Sequence, residues 1–312
     1  MNVSAERTAA DQEYLLKVEG LKTYFPVSSG LFGQTKQYVR AVDGVDFSVK
    51  KGETLGIVGE SGCGKSTTGN TIIRLLEPTE GRIVFAGKDI TRLSEREMKK
   101  IRKDMQMVFQ DPFSSLNPRM SVFDIIAEPL RTHKVAKGKE LANQVYALME
   151  TVGLDRSLAN RFPHEFSGGQ RQRIGIARAL ALRPKLLICD EPVSALDVSI
   201  QAQVVNLMKK LQRDRGLTFL FIAHDLSMVK YISDRIGVMY MGNMVELADS
   251  DELYDNPVHP YTKSLLSAIP LPDPRYKRER QRIGYDPTAH DTSEEAEFRE
   301  IRPGHWVRCT TK

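Results

Sequence analysis

The sequence predicts an α/β fold in which helices cover a parallel-sheet core. The second half of the chain alternates between helix and strand, with a helix predicted over 170–182, a strand over 185–190, a helix over 199–215 and a strand over 217–223. This alternation is typical of a parallel sheet with helices on its faces. In the first half, the apolar strand Thr54–Val58 runs into a glycine-rich loop, and a helix over 66–76 follows before Pro78.

Strands are also predicted over residues 14–58. Apolar side chains recur there at mostly even spacing, as a half-buried sheet requires. They are Val39, Ala41, Val45, Phe47 and Val49. A loop that contains Ser and Gly is expected to interrupt these strands at 28–37.

A helical insertion is predicted after the short apolar strand MQMVFQ, which ends at Gln110. Val145, Leu148, Met149 and Val152 follow the i, i+3, i+4, i+7 spacing of one helix face. Beyond Glu246 prolines become frequent, and they flank a short helix predicted over 261–268.

Composition narrows the class of protein. The chain has 312 residues, of which 41% are hydrophobic and 27% charged, as in ordinary globular proteins. It lacks the apolar run of roughly 18 residues that a membrane-spanning helix needs, and its first residues lack the apolar core of a signal peptide. We therefore expect a cytoplasmic protein whose link to a membrane comes through a partner. The net charge of +5 does not indicate nucleic-acid binding, and three widely spaced cysteines do not predict disulfides or zinc.

The segment Gly59-Glu-Ser-Gly-Cys-Gly-Lys-Ser66 fits the pattern of a phosphate-binding loop. Glycines allow backbone N–H groups to turn toward phosphate oxygens, and the following helix adds its positive dipole end. Lys65 supplies a charge to the β- and γ-phosphates, and the Ser66 hydroxyl is placed to bind Mg²⁺. The expected nucleotide-binding set is Gly59, Ser61, Gly62, Cys63, Gly64, Lys65, Ser66 and Thr67.

Two acidic residues end the apolar strand Leu186-Leu-Ile-Cys-Asp190-Glu191. Carboxylates at the C-terminal end of a parallel strand face the ligand crevice. Asp190 is expected to hold the Mg²⁺ shell, and Glu191 is expected to orient or deprotonate the attacking water.

The segment Ser167-Gly-Gly-Gln170 opens a predicted helix with the apolar stripe Ile174, Ala177, Leu180 and Ala181. It fits a helix capped by serine, and it equally fits a second anion site at a helix N-terminus. Because the chain already has a phosphate loop, the second interpretation suggests a nucleotide shared between two chains.

In this order and spacing, the motifs resemble those of the ABC-transporter ATPases across about residues 14–245. They include Gln110 after a strand, Ser194-Ala-Leu-Asp197, and His224 after an apolar strand. The resemblance implies a P-loop NTPase (RecA-like) parallel-sheet core with an antiparallel β subdomain and a helical signature subdomain. The expected domains are an ABC ATPase domain at 12–245, with its helical insertion at about 111–168, and a C-terminal extension at 246–312.

The same resemblance implies roles for further residues. Gln110 is expected to contact Mg²⁺ and the water, and His224 is expected to bond the γ-phosphate and position Glu191. Asp197 is expected at a dimer interface. Either Tyr24 or Phe25 is expected to stack on adenine. The implied catalytic set is thus Glu191, His224 and Gln110, and the implied Mg²⁺ ligands are Ser66, Gln110 and Asp190.

A narrower resemblance lies downstream, where Asn256-Pro-Val-His-Pro-Tyr-Thr-Lys-Ser-Leu-Leu-Ser-Ala-Ile-Pro270 is similar to the C-terminal extension of the oligopeptide and dipeptide importer ATPases. QDPFSSLNPRM, beginning at Gln110, is similar to the same subfamily. Some members carry an iron–sulfur cluster on four tail cysteines. Here the tail has only Cys309, so no cluster is expected.

These resemblances predict an ATPase that energises the import of oligopeptides or dipeptides from the cytoplasmic face of the cell membrane. Its expected ligands are ATP and Mg²⁺. Its expected partners are a second ABC ATPase subunit, which is a paralogue in a head-to-tail dimer, two membrane permease subunits and an extracytoplasmic peptide-binding protein.

Other functions stay open. One alternative is an importer of the same subfamily that carries nickel or sugars. Another is a non-transport ABC ATPase that acts on nucleic acid or ribosomes. The short interval between Gly59 and Ser167 weighs against the latter, since such proteins usually have two ATPase domains or a long coiled coil. A third is a regulatory module without hydrolysis, which conflicts with the intact Lys65, Asp190, Glu191 and His224.

Cys63 raises a separate hypothesis. It lies beside Lys65 at a helix N-terminus, conditions that lower the pKa of a thiol. We expect its alkylation to block ATP binding and Mg-ATP to protect it. Cys189 is expected in the core.

Overall fold

The computed structural model describes residues 13–29, 35–111, 115–269, 283–286 and 296–310. The strands are β1 (Tyr14–Ser29), β2 (Thr35–Lys50), β3 (Thr54–Val58), β4 (Glu80–Phe85), β5 (Lys88–Asp89), β6 (Met105–Val108), β7 (Leu186–Asp190), β8 (Thr218–Ile222), β9 (Arg235–Tyr240), β10 (Asn243–Asp249), β11 (Ala296–Arg302) and β12 (His305–Thr310). The α-helices are α1 (Lys65–Ile72), α2 (Glu95–Ile101), α3 (Val122–Thr132), α4 (Gly138–Thr151), α5 (Gly168–Leu180), α6 (Val198–Arg215), α7 (Leu226–Ile232), α8 (Ser250–Asp255) and α9 (Pro260–Ser267). Short 3₁₀ turns lie at Arg156–Leu158 and Pro163–Glu165.

The chain forms two compact units, Met1–Arg92 with Phe221–Lys312, and Leu93–Leu220. In the first unit, an antiparallel sheet has the strand order β2-β1-β4-β5. Val18 of β1 lies opposite Phe47 of β2 and Ile83 of β4, and all three side chains are buried. Of the five predicted apolar residues, Val45, Phe47 and Val49 are buried in this face, whereas Ala41 is half-buried and Val39 is 54% exposed.

The other strands of the first unit lie in the order β11-β12-β10-β9-β3. Strands β3 and β9 are parallel, and every residue of β3 is buried. A strand buried on both faces consists mostly of apolar residues without alternation, as β3 does. This strand delivers the chain to the glycine-rich loop.

The second unit contains strands in the order β8-β7-β6. Of β8, the residues up to Leu220 belong to the second unit, and Phe221 and Ile222 belong to the first. Strands β6 and β7 are parallel, with Val108 opposite Cys189. Helices α3, α4 and α5 bury one face each, and the predicted apolar stripe of α4 is confirmed because Val145, Leu148 and Met149 are buried. The parallel strands and the antiparallel sheet confirm the predicted fold class.

Several element boundaries differ from those predicted. Helix α1 ends at Ile72 rather than at residue 76, because Arg74 has a left-handed φ of 60°. The buried guanidinium of Arg74 donates to the backbone oxygen of Ile90 at 2.9 Å and to Glu77 at 2.8 Å. The predicted loop at 28–37 is shorter, because β1 and β2 pair out to Ser29 and Thr35.

The hairpin β11–β12 was not predicted from the sequence. It turns at Pro303-Gly304, and β12 pairs with β10 through Glu246 opposite Val307 and Leu247 opposite Trp306. Residues 275–282, whose sequence RYKRERQR is strongly basic, lie outside the described residues. Within the part of the chain that the structure describes, no helix has the length and apolar character needed to cross a membrane.

Candidate nucleotide-binding site

The loop after β3 requires glycine at two positions for steric reasons. Gly59 and Gly64 have φ values of 154° and 103°. A Cβ atom would come within 2.2 Å of the Met239 carbonyl oxygen at Gly59, and within 2.1 Å of the Ala41 carbonyl oxygen at Gly64. The loop therefore packs directly on neighbouring backbone, which fixes its shape.

Lys65 begins α1 and turns its side chain back across the loop. Its Nζ donates to the carbonyl oxygens of Gly59 at 2.7 Å and Glu60 at 2.8 Å, and it lies 3.7 Å from Cys63 Sγ. The residue is only 4% exposed. An ammonium group beside the N-terminus of a helix gives this loop the charge needed to bind phosphate.

The remaining predicted residues of the loop are more accessible. Ser61 and Gly62 are exposed, and Ser66 and Thr67 are half-buried on the first turn of α1. The hydroxyl of Ser66 thus lies in the same turn as Lys65.

The prediction that Cys63 has a lowered thiol pKa is wrong. Its side chain is buried, with 5% exposed, and this burial raises the pKa of the Cys63 thiol. The Lys65 ammonium lowers the pKa, but by less than burial raises it. Cys189 is fully buried in β7, as expected.

Gln110 and Glu191 meet at the carboxyl end of the parallel pair β6 and β7. Gln110 lies two residues beyond β6 and Glu191 one residue beyond β7, and Gln110 Nε2 donates to Glu191 Oε2 at 2.9 Å. Asp190, the last residue of β7, is 6% exposed. Glu191 has a left-handed φ of 43°, an uncommon backbone conformation for a residue with a side chain. Such strain is found mainly at functional sites.

Ser167 caps helix α5. Its Oγ accepts from the Gln170 backbone N–H at 3.4 Å, and Gln170 Oε1 accepts from the Ser167 N–H at 3.0 Å. This reciprocal pair is a capping box. Ser167 and Gln170 are both exposed, so their polar groups can reach a ligand.

The two signature glycines have a packing role as well. A Cβ on Gly169 would lie 2.3 Å from Ile200 Cγ2, and one on Gly168 would lie 3.0 Å from Leu196 Cδ2. Asp197 precedes α6 as its N-cap residue and is exposed.

His224 follows β8 and is exposed. Its neighbour Ala223 donates from its backbone N–H to the carbonyl of Ile57 at 3.1 Å, which ties this turn to the strand that leads into the phosphate loop. His224, just after β8, is therefore tied to the end of β3, from which the phosphate loop begins.

The two candidate aromatic residues near the N-terminus differ in their contacts. Tyr24 is half-buried, donates from its hydroxyl to Asp43, and lies under the Arg40 guanidinium at 5.6 Å. Burial and then the bond to Asp43 raise the pKa of Tyr24 to about 12. Phe25 is 39% exposed.

One residue near the loop was missed as a functional candidate. Tyr261, in the proline-rich string, accepts at its hydroxyl oxygen from the Glu60 backbone N–H at 3.1 Å. In the sequence, Tyr261 is only part of a string that indicates family membership. Its contact with Glu60 joins positions far apart in the chain, so no local pattern reveals it.

A phosphate-binding loop, an acidic strand end and a capped signature helix on an α/β fold define a nucleoside-triphosphate-binding protein. Residues 42–194 match the ABC transporter family, and residues 245–306 match the family described as oligopeptide/dipeptide transporter, C-terminal region. The chain belongs to the ABC-transporter ATPases, in the branch of the oligopeptide and dipeptide transport ATP-binding proteins.

Relatives of this branch match over most of their length. The oligopeptide transport ATP-binding protein OppF of Bacillus subtilis is 63% identical over 302 residues, which cover 96% of this chain and 97% of the relative. OppF of Salmonella typhimurium is 56% identical, with 86% of this chain and 82% of the relative covered. Among solved structures, the ATP-binding cassette MJ0796 in a dimeric, post-hydrolysis state bound to ADP and Pi is 29% identical, with a TM-score of 0.67 and coverage of 75% of this chain and 98% of that chain.

Proposed function

We propose that this chain binds Mg-ATP on its phosphate loop and hydrolyses it to energise the import of oligopeptides or dipeptides. The observation that carries the proposal is the loop itself, where the buried ammonium of Lys65 and two sterically required glycines form an anion site. The relatives are named oligopeptide and dipeptide transport ATP-binding proteins, and these names support the assignment of peptides as the cargo.

Each side chain has a proposed task. Lys65 and the loop N–H groups bind the phosphates. Glu191, oriented by its hydrogen bond from Gln110, accepts a proton from the attacking water. His224 bonds the γ-phosphate.

Ser66, Gln110 and Asp190 fit Mg²⁺, because hydroxyl, amide and carboxylate oxygens are the hard donors that this ion prefers. The Gln110 amide nitrogen donates to Glu191, which leaves the amide oxygen as the group of Gln110 that could serve as a ligand. When bound there, Mg²⁺ would neutralise negative charge on the phosphates.

The signature residues Ser167, Gly168, Gly169 and Gln170 are proposed to bind the γ-phosphate of a nucleotide held by a second ATPase subunit, with Asp197 at the same interface. The dimeric state of the related cassette MJ0796 supports an ATPase pair. We propose that this pair consists of two paralogues, docks on two permease subunits at the cytoplasmic face of the membrane and receives cargo from a peptide-binding protein.

We assign adenine stacking to Phe25 rather than to Tyr24, because Tyr24 is already bonded to Asp43 and Arg40 covers its ring. Loss of one base–aromatic stack costs about 1–3 kcal/mol. The Phe25→Ala variant is therefore expected to raise the KM for ATP at least severalfold, whereas Tyr24→Phe leaves it within twofold. The opposite order, measured by steady-state ATP hydrolysis, would reverse the assignment.

The test of the function uses the Glu191→Gln variant in the purified transporter complex. We expect ATP affinity to be kept and turnover to fall by roughly 10²–10⁴-fold, the usual contribution of general-base catalysis. Uptake of a radiolabelled peptide into proteoliposomes should fall with it. Glu140→Gln, an exposed substitution on α4, is the control and should transport normally.

Full turnover by Glu191→Gln would contradict the assigned role. Failure of the wild-type chain to co-purify with hydrophobic permease subunits, together with ATPase activity stimulated by DNA or ribosomes, would favour the non-transport alternative. Peptide-independent uptake of nickel or a sugar would replace the proposed cargo.

A further inference from the structure

The C-terminal extension contacts the phosphate loop through one peptide group. The Gly59–Glu60 peptide is held at both ends, since its carbonyl oxygen accepts from Lys65 Nζ at 2.7 Å and its N–H donates to Tyr261 Oη at 3.1 Å. Two hydrogen bonds in opposite directions fix the rotation of this peptide. Its orientation decides where the Lys65 ammonium lies before phosphate arrives.

Tyr261 is itself held rigidly. It is 2% exposed, and its ring centroid lies 4.3 Å from that of Tyr240 and 5.3 Å from that of Tyr285. Burial raises the pKa of the Tyr261 hydroxyl, so this group stays neutral at working pH. A neutral, ordered phenol is a constant hydrogen-bond partner for the loop.

The start of α9 is anchored in turn. His259 Nδ1 caps the helix by accepting from the Tyr261 N–H at 3.1 Å, and Pro260 occupies the first helical position. The fully buried carboxylate of Glu246 accepts from the N–H groups of Val258 at 2.8 Å and His259 at 3.0 Å. These bonds fix the position from which Tyr261 reaches the loop.

The hairpin β11–β12 joins the same network. Nε2 of His305, a residue 1% exposed, lies within hydrogen-bond distance of Glu246 Oε1, at 2.8 Å. A continuous hydrogen-bonded path therefore leads from β12 through Glu246 and α9 to Glu60 and Lys65.

We propose that Tyr261 is a positioning residue of the nucleotide site, by which the C-terminal extension sets the affinity of the phosphate loop for the di- and triphosphate of a nucleotide. This inference rests on the proposed function of the loop. Tyr261 touches no substrate atom in this scheme. It acts through the Gly59–Glu60 peptide and Lys65.

The test compares Tyr261→Phe with Tyr254→Phe in the full chain. Tyr254 also bonds backbone through its hydroxyl, by donating to the Leu226 carbonyl, and it serves as the matched control. Loss of one hydrogen bond should weaken Mg-ATP and Mg-ADP binding by roughly three- to tenfold in Tyr261→Phe, measured by calorimetry. Tyr254→Phe should bind as wild type.

Separate measurement of KM and kcat distinguishes a positioning role of Tyr261 from a purely structural one. We expect Tyr261→Phe to raise the KM for ATP by the same factor while kcat at saturating ATP stays within twofold. A purely structural role would lower the melting temperature of both variants and leave both nucleotide affinities unchanged. That result would overturn the inference.

A second pair of variants keeps the proposal testable if Tyr261→Phe does not fold. His259→Ala removes the cap of α9, whereas His259→Asn keeps a side-chain acceptor there. Weaker Mg-ATP binding and faster hydrogen exchange at the Glu60 amide in His259→Ala, both restored in His259→Asn, would support the proposal, and wild-type values in His259→Ala would refute it. If the wild-type chain binds no ATP, the proposed function fails, whereas equal binding by wild type and Tyr261→Phe refutes the positioning role alone.

Discussion

At the residue scale, burial and charge act in opposite directions on Cys63. The sequence places the thiol next to Lys65 and a helix N-terminus, which predicts an activated thiolate. The structure buries the side chain, and desolvation outweighs the nearby ammonium, so the pKa of the thiol rises. Sequence adjacency predicts the charge, but burial depends on how the loop packs against residues distant in the chain, such as Met239.

We therefore expect Cys63 to react slowly with iodoacetamide at pH 7, more slowly than free glutathione, since less of it is thiolate. Because the pKa is raised, the rate should still climb with pH above the range where an ordinary thiol levels off. Mg-ATP should protect Cys63, and modification should abolish ATP binding. Mass spectrometry of the labelled peptide measures the labelling rate and the protection by Mg-ATP, with the half-buried Cys309 as an internal comparison, and calorimetry on the alkylated chain measures ATP binding.

Two observations would contradict this expectation. One is labelling at pH 7 as fast as that of glutathione, which would restore the activated thiolate. The other is equal labelling with and without Mg-ATP, which would remove Cys63 from the nucleotide site.

At the element scale, two glycines of helix α5 allow the packing effect of a glycine to be distinguished from its effect on chain entropy. Gly169 faces Ile200 of α6, where an added Cβ would lie 2.3 Å from Cγ2, whereas Gly175 in the same helix has no atom within 4 Å of a Cβ. Gly169→Ala should lower the free energy of unfolding by about 1–3 kcal/mol through overpacking. Gly175→Ala should leave it unchanged or raise it by about 0.5–1 kcal/mol, because alanine loses less entropy in a helix.

Urea unfolding of the two variants measures the difference. Ile200→Ala combined with Gly169→Ala should recover part of the lost stability, because it removes the clashing methyl group. If both glycine variants change the free energy of unfolding by the same amount and in the same direction, the contact with Ile200 carries no cost.

Element types were predicted better than element ends. The apolar stripe of α4 was predicted from periodicity and is confirmed by burial. The even spacing in β2 is confirmed for Val45, Phe47 and Val49 but not for the exposed Val39. The end of α1 depends on the buried guanidinium of Arg74, which donates to the carbonyl oxygen of Ile90, the residue after β5. No local pattern at Arg74 reveals that partner. The hairpin β11–β12 had a usable signal in Pro303-Gly304 between two polar-and-aromatic stretches.

At the scale of the whole molecule, the fold class and the family follow from the sequence because the chemistry of phosphate binding restricts which residues can occupy the loop. Glycine, lysine and serine at fixed spacing are a local requirement, so the loop can be recognised from the sequence alone. The role of Tyr261 cannot be recognised in this way, since its partner Glu60 is distant in the chain. The choice between Tyr24 and Phe25 likewise depended on the contact with Asp43, which only folding creates.

The hairpin β11–β12 also carries the single tryptophan of the chain, Trp306. Its ring stacks on Phe298 at 5.9 Å, and it lies opposite Leu247 of β10. Indole emission excited at long ultraviolet wavelength thus comes from one known place in the protein. The native chain is its own optical sensor for the state of its C-terminal region, and no dye or engineered label is needed to follow it.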